Sequence, residues 1–351
     1  MWEVACIAIP LIIVAVLCNL YILKKAPFIE GLLFLLHIAG FCFIVVVIWV
    51  MGVRTETSTV VTHFTSISGW GNINMVLACL VGLDAPVAVL AGADSACHIS
   101  EMVRNASRAV PRAMVITTII NSLMGFLIMV TLIFNIGDPN AFYYPNHILS
   151  YVSIINFVTQ STAATYFTVS LMAVLLCFGA VNRATSASRQ LYAFARDEGM
   201  PFSNWLAHVP AKSAVPRNSI LVSSLISALI LIGIVRSSAA WQYVSTTASS
   251  SILLSYWIAI ACLLWRKISG GHLPRSEFFF GRVRSMIVNG LALAFLTVAL
   301  FFSFFASSPR RSAAGANWNL VILCAIIAFS GGYYWLYGRF HYKAPVEKIK
   351  K

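Results

Sequence analysis

Charge is scarce in this sequence, and acidic residues are scarcer than basic ones. Only 10% of the 351 residues are charged, with 11 Asp or Glu against 24 Lys or Arg. A soluble globular domain carries about 25% charged residues, whereas 60% of this chain is hydrophobic. The composition therefore excludes a soluble enzyme, a disordered protein and a secreted disulfide-rich scaffold.

Several motifs that support enzymatic chemistry are also missing. The chain has no GxxxxGK[ST] phosphate loop, no HExxH and no GxSxG, so ATP-driven transport within this chain and hydrolase chemistry are not predicted. The eight cysteines form no CxxC pair, and no Cys/His cluster has metal-ligand spacing. We therefore expect no catalytic residues, no metal and no cofactor. The cysteines are interpreted as small, buried, reduced hydrophobic residues.

Long apolar runs occupy most of the chain. A helix that crosses the hydrocarbon core of a bilayer needs about 20 apolar residues, and nine segments meet this requirement. They cover residues 4–23, 31–53, 75–103, 114–136, 164–188, 218–235, 242–265, 285–306 and 317–338. The sequence therefore predicts an all-α, polytopic membrane helix bundle.

The basic residues indicate the orientation of these spans. If the first helix runs from outside to inside, 20 of the 24 Lys and Arg residues lie on the inner side. Short cytoplasmic loops carry such an excess of positive charge. This distribution predicts a cytoplasmic C-terminus and accounts for the net charge of +13 without a nucleic-acid partner.

Three of the acidic residues fall on one predicted span, Asn74–Arg104. Asp84, Asp94 and Glu101 are costly at membrane depth, where ionisable residues usually have a function. Asp84 could be a cation partner or a buried hydrogen-bond acceptor, and His98 a proton carrier or a satisfied core residue. The alternative for the whole segment is a kinked packing helix whose acids are satisfied internally.

The same span carries two residues that interrupt helices. Pro86 cannot donate the helical hydrogen bond, and Gly92 leaves helical geometry at little cost. The run Ala91–Asp94 is therefore predicted to break the helix, with Asp94 or Ser95 capping the second half. A broken helix at membrane depth lines a cavity or is buried, and is typical of a transporter binding site that attracts a carboxylate.

Other polar positions give weaker signals. The hydroxyl-rich run Ser245–Ser251 enters the seventh span, where it could pack against neighbouring helices or line a permeation path. Asn182 and Arg183, near the inner half of the fifth span, could form part of an inner gate.

Two stretches of sequence resemble a known family. The first comprises Gly92–Glu101 followed by Arg104–Met114, and the second comprises Ala187–Phe202 followed by Val215–Asn218. Together they resemble the amino acid–polyamine–organocation permeases, especially the fungal GABA/choline permease-like branch. The likeness extends over essentially the whole chain.

This resemblance implies a twelve-helix, leucine-transporter-like fold with two inverted five-helix repeats. The broken segment corresponds to the family's sixth helix, so the chain is expected to be N-terminally truncated, with about nine helices. Residues 4–53 would be a remnant of the first repeat and 75–265 the second repeat. Residues 285–338 would form two accessory helices, and 339–351 a cytoplasmic tail.

The resemblance also implies secondary active transport of an amino acid or a GABA- or choline-like amine. Transport would proceed by alternating access around Gly92, with protons as the coupling ion of a symporter. The membrane would be the plasma membrane, with a vacuolar or other internal membrane left open, as is the oligomeric state. A non-transporting nutrient sensor or an inactive permease fragment is the alternative.

Family membership would assign specific roles to several residues. In the loop Ser188–Pro201, which would help gating, Arg189, Arg196 and Asp197 would form salt bridges or helix caps. Candidates for proton coupling or gating are Asp84, His98, Glu101 and Arg183. Candidates for substrate binding are Val89, Leu90, Ala91, Gly92, Ala93, Asp94, Phe178 and Thr246.

Overall fold

The fold is that of a computed structural model, whose regular elements are helices. The structure describes residues 2–22, 26–62, 64, 69–135, 151–210, 215–235, 237–271, 281–306 and 317–343.

Apolar helices follow one another along the described chain. Eight helical stretches are long and apolar enough to cross a membrane, and one further apolar helix, Cys6–Tyr21, is shorter. The helices are α1 (Trp2–Leu17), α2 (Ala26–Met51), α3 (Thr57–Thr62), α4 (Met75–Val81), α5 (Asp84–Leu90), α6 (Ser95–His98), α7 (Ala106–Asn135), α8 (Tyr151–Thr159), α9 (Thr162–Arg196), α10 (Ser203–Leu206), α11 (Arg217–Ile234), α12 (Ser238–Ile268), α13 (Arg282–Ser303), α14 (Asn319–Tyr333) and α15 (Arg339–His341).

Every predicted span coincides with helical structure. The first continues from α1 through a π-helical turn, Cys18–Ile22, and the last continues from α14 through a π-helical turn, Tyr334–Gly338, into α15. The third is divided into α4, α5 and α6. The all-α polytopic bundle is therefore confirmed.

Helix α8 is an element that the sequence reasoning missed. Its nine residues are too few to cross a bilayer, so apolar run length gave no signal for it. Ile155 and Val158, three residues apart, are buried against Ile48 of α2. This spacing places both side chains on one face, which fixes α8 against the membrane helices.

The prediction of buried cysteines is wrong. All eight are free thiols, but seven are exposed and Cys18 is partly buried. Their helices turn apolar faces outwards, as Ile7, Leu176 and Leu291 also show. Because lipid solvates such faces as well as a protein core would, a small hydrophobic residue is tolerated there without burial.

A buried hydrogen-bond network of Ser250, Ser303 and Asn319, called here the polar lock, joins α12, α13 and α14. The Ser250 hydroxyl, fully buried, lies 2.9 Å from the Ser303 hydroxyl, and the Asn319 side-chain amide donates to Ser250 Oγ at 2.6 Å. Asn319 also donates to the Ser303 carbonyl at 3.2 Å. Within the hydroxyl-rich run of the seventh span, Ser250 therefore has the packing role.

Replacing Asn319 by alanine should lower the stability of the bundle. The change removes two buried interhelical hydrogen bonds, a loss of about 1–2 kcal/mol, and leaves the Ser303 carbonyl with one partner fewer. Thermal unfolding of the purified protein in detergent should shift down by several degrees. Asn121→Ala, at an exposed position of α7, should leave the midpoint within a degree or so, and an equal shift in both variants would contradict the lock.

A second lock holds the start of the bundle against α9. Asn19, in the π-helical turn after α1, accepts from the Thr185 hydroxyl at 2.6 Å and donates to the Val181 carbonyl at 3.3 Å. Asn19 is almost fully buried. These two bonds fix the C-terminal half of α9, the helix whose C-terminal end faces the broken span.

Candidate functional site

The first interruption of the third span lies at Gly82–Leu83, between α4 and α5. Pro86 is the cause, because without an N–H it cannot donate to the carbonyl four residues earlier, that of Gly82. The Ala85 N–H instead reaches Gly82 O at 3.4 Å. Pro86 itself lies in the first turn of α5, where a missing N–H costs nothing. The predicted effect of Pro86 is therefore present, one turn before the proline.

The second interruption is the predicted one, a turn over Ala91–Asp94. The Ala91 N–H closes α5 on the Val87 carbonyl at 2.9 Å, and the Ser95 N–H bonds to the Gly92 carbonyl at 3.0 Å. Between them Gly92 has φ +116°, a conformation that side-chain-bearing residues rarely adopt. A Cβ placed on Gly92 would meet no atom within 4 Å, so this backbone borders open space.

The prediction that Asp94 or Ser95 caps the second half of the helix is wrong. Asp94 occupies the N-cap position of α6, but its side chain makes no capping bond. Its backbone is already helical (φ −68°, ψ −15°), whereas a capping residue is usually extended. The carboxylate instead contacts a side chain one turn further along the chain, because Asp94 Oδ2 is 3.2 Å from His98 Nε2.

Tyr256 of α12 completes the surroundings of the break, and the sequence reasoning missed it. Its hydroxyl lies close to the Asp94 carboxylate and to the backbone of Gly92. The ring packs beside Val87 against the buried Leu253 and its neighbours. The available signal was a tyrosine in the middle of an apolar span, because a buried hydroxyl requires a hydrogen-bond partner.

The other predicted substrate residues lie in varied positions. Val89 and Leu90 are 72% and 40% exposed, and Ala91 and Ala93 are partly buried in and beside the turn. Phe178 is partly buried on α9. The Thr246 hydroxyl donates to its own helix, at the Gln242 and Tyr243 carbonyls.

Among the predicted gating residues, Asp84 and Arg183 stand apart from the break. Asp84 Oδ1, at the start of α5, is buried and has no hydrogen-bond partner among the described residues. Arg183 is exposed on α9. The structure thus gathers Gly92, Asp94 and His98 together with Tyr256.

The C-terminal end of the broken span contacts the C-terminal end of α9. His98 Nε2 is in hydrogen-bond contact with the Gln190 side chain, and Arg196 pairs with Glu101 of the 3-10 turn Ser100–Met102 at 2.8 Å. A cavity of about 360 Å³ lies between these elements.

The prediction of a loop over Ser188–Pro201 is wrong for its first part, because α9 continues to Arg196. The three residues named for this loop also take different roles. Arg196 also lies 3.7 Å from the Asp197 carboxylate, and Asp197 is the residue that ends α9, with its N–H on the Ala193 carbonyl. These two therefore take the predicted roles of ion pair and cap. The prediction is wrong for Arg189, whose Nε is buried with no hydrogen-bond partner among the described residues.

The start of the C-terminal tail is attached to the same region. Lys343 Nζ pairs with Glu198 at 2.6 Å, and its backbone N–H donates to the Asp197 carbonyl at 3.0 Å. The Tyr342 ring packs against Phe194 of α9. These contacts place Tyr342 and Lys343 next to the end of α9.

Comparisons with known proteins bear on this arrangement. A family model described as "Amino acid permease" matches residues 1–329. The chain is 28% identical to an uncharacterized amino-acid permease of Schizosaccharomyces pombe over 84% of its length and 54% of the relative. It is 27% identical to a choline transporter and 26% identical to a GABA-specific permease, both of Saccharomyces cerevisiae, over 86% and 85% of the chain and 52% of each relative.

Two conclusions follow from these matches. The chain spans about half the length of these curated relatives. The predicted resemblance to fungal permeases is confirmed, and with it the prediction that the chain belongs with transport proteins and not with enzymes.

Proposed function

Because the chain belongs to the amino acid permease family, we propose that it carries out secondary active transport of small amino acids or related amines. The observation that carries this proposal is the break at Gly92, a left-handed turn that borders open space inside a helix of membrane-spanning length. The names of the relatives support substrates of the GABA or choline type.

In this proposal the substrate meets backbone groups at the break. The residues Val89–Asp94 present peptide N–H and carbonyl groups that an intact helix would satisfy internally. The exposure of the Val89 and Leu90 side chains supports a backbone role for this segment. Tyr256 extends the site from α12, while Phe178 and Thr246 line its approach. Transport proceeds by alternating access, with the two halves of the broken helix exposing the site to each side in turn.

Proton coupling is assigned to Asp94 and His98. When His98 Nε2 carries a proton, it can donate to Asp94 Oδ2, 3.2 Å away. When Nε2 is deprotonated, it can accept from the Gln190 amide, its second neighbour. Protonation of Nε2 therefore decides whether His98 is hydrogen-bonded to Asp94 or to Gln190. In this way proton binding is coupled to the position of α6 relative to α9.

An inward proton gradient should raise initial uptake of labelled γ-aminobutyrate or choline several-fold. The measurement uses purified protein in liposomes, with uptake compared in the presence and absence of the gradient. Asp94→Asn should abolish this stimulation, because the neutral amide cannot form an ion pair with a protonated His98. Glu56→Gln, at an exposed acid before α3, should keep it. Equal uptake by the unmodified protein with and without the gradient would refute the coupling.

The 20-to-4 division of basic residues supports a cytoplasmic C-terminus. We propose the plasma membrane as the site of action, with the vacuolar membrane as the alternative. Selective labelling of a cysteine introduced after Lys343, from one side of intact cells, tests the side of the C-terminus.

A second candidate function is a non-transporting sensor or an inactive permease fragment. The observation that favours it is that no residue of the most apolar part of Met75–His98 is buried. The same liposomes separate the two functions. Substrate binding without flux would favour the non-transporting protein, and flux would exclude it.

A further inference from the structure

The cavity next to the break is lined by Arg189, whose Nε has no hydrogen-bond partner in the part of the chain that the structure describes. It is formed by the inner half-helix α6, the 3-10 turn that follows it, and the inner end of α9, with His98, Glu101, Arg189, Gln190 and Asp197 in its lining. The charged lining residues other than Arg189 are engaged. Glu101 and Asp197 both lie near Arg196, and His98 contacts Asp94.

Arg189 is different, because its Nε is buried and has no hydrogen-bond partner among the described residues. A buried guanidinium N–H without an acceptor is costly, and native structures rarely leave one in that state. The two carboxylates that line the cavity, those of Glu101 and Asp197, already lie near Arg196. The acceptor that Arg189 lacks is therefore best supplied by a molecule that enters the cavity.

The chemistry of the side chain specifies what that molecule carries. The planar guanidinium fork binds carboxylates and phosphates through paired N–H···O bonds. A cavity of about 360 Å³ falls within the usual size of small-molecule sites, about 300–1,000 Å³. His98 lines this cavity and contacts Asp94 at the break, so the two sites are adjacent along the route to the inner surface.

We propose that Arg189 binds the carboxylate of the substrate in a second, inner subsite that the substrate occupies between the break and the inner surface. This inference rests on the proposed function and narrows its substrate class. The substrate carries a carboxylate as well as an amine, as amino acids and γ-aminobutyrate do, and choline does not.

Equilibrium binding to the purified chain in lipid nanodiscs tests the subsite. Four labelled probes are compared: γ-aminobutyrate with both groups, choline without a carboxylate, butyrate without an amine, and inorganic phosphate. Arg189→Gln should weaken γ-aminobutyrate and butyrate binding at least about tenfold, the usual loss for a hydrogen bond to a charged group. Arg189→Lys should give an intermediate loss, because it keeps the charge and loses the fork. Arg112→Gln, at an exposed arginine of α7, should change nothing.

The outcomes separate this inference from the proposed function. Carboxylate binding that depends on Arg189 supports the subsite even when the liposomes show no flux, in which case transport alone is overturned. Flux of choline with no carboxylate binding keeps transport and overturns the subsite. If Arg189→Gln weakens the binding of all four probes equally, or lowers the unfolding temperature, the role of Arg189 is structural. Either result would overturn the proposed subsite. Phosphate as the preferred probe assigns the cavity to a phosphate-bearing ligand, such as a lipid headgroup, and also overturns it.

Discussion

Replacing Gly92 by leucine should reduce uptake to less than about a tenth while leaving membrane insertion unchanged. Two effects act together. At φ +116° a residue with a side chain is strained by about 1–3 kcal/mol, which drives the turn towards another conformation and misplaces the backbone groups of the proposed substrate site. In addition, the side chain would extend into the open space that Gly92 borders.

Two variants separate these effects from general damage. Gly331→Leu in α14 places the same side chain where a Cβ also meets no atom within 4 Å but φ is not positive, so uptake should stay near normal. Gly92→Ala keeps the strain and adds little volume, and an intermediate loss would assign part of the effect to the backbone. Full uptake by Gly92→Leu, with normal surface expression, would remove this segment from the transport site.

The sequence was sufficient for the membrane helices because a single strong signal encodes them. Apolar runs of spanning length recur along the chain, and each coincides with helical structure, although α7 begins at Ala106, before its expected start at 114, and α9 ends at Arg196, after its expected end at 188. The break at Ala91–Asp94 was predictable for a related reason. Glycine and proline act on the backbone locally, so their effect at Gly82 and Gly92 does not depend on the neighbouring helices.

What the sequence could not give is which side chains meet across helices. Asp94 was expected to cap its own helix, but its carboxylate reaches His98 and Tyr256, and Tyr256 lies more than 150 residues later in the chain. Arg189 was expected to pair with a nearby acid, yet Arg196 takes Glu101. Both expectations were plausible from the local sequence. Only the packing of α9 against α6 and the turn after it decides which side chains become partners.

That packing bears on the proposed transport cycle through the ion pair of Glu101 and Arg196. The pair joins the C-terminal end of the broken span to the end of α9 at 2.8 Å, and the α9 end is itself bonded to Lys343 through the Asp197 carbonyl. In the alternating-access cycle proposed above, these two C-terminal ends would have to separate. The pair would therefore favour the arrangement in which they are in contact, although by little, because exposed ion pairs contribute modestly.

Reversing one charge should have a larger effect than removing it. Arg196→Glu would place a third carboxylate beside Glu101 and Asp197, so that repulsion replaces attraction across the inner ends, and uptake should fall about tenfold. Glu101→Gln removes only the attraction and should reduce uptake less than threefold, a weakening of well under 1 kcal/mol.

The combined exchange, Glu101→Arg with Arg196→Glu, decides whether this pair is the cause. Because it restores an ion pair of opposite polarity across the same contact, uptake should return to within about threefold of the unmodified protein. Arg112→Glu reverses an exposed charge on α7 and should leave uptake unchanged. A double variant no better than Arg196→Glu alone would show that Arg196 acts through Asp197, which lies 3.7 Å away, and not through the broken helix. The closed inner end would then depend on the α9 terminus and the C-terminal contacts at Lys343.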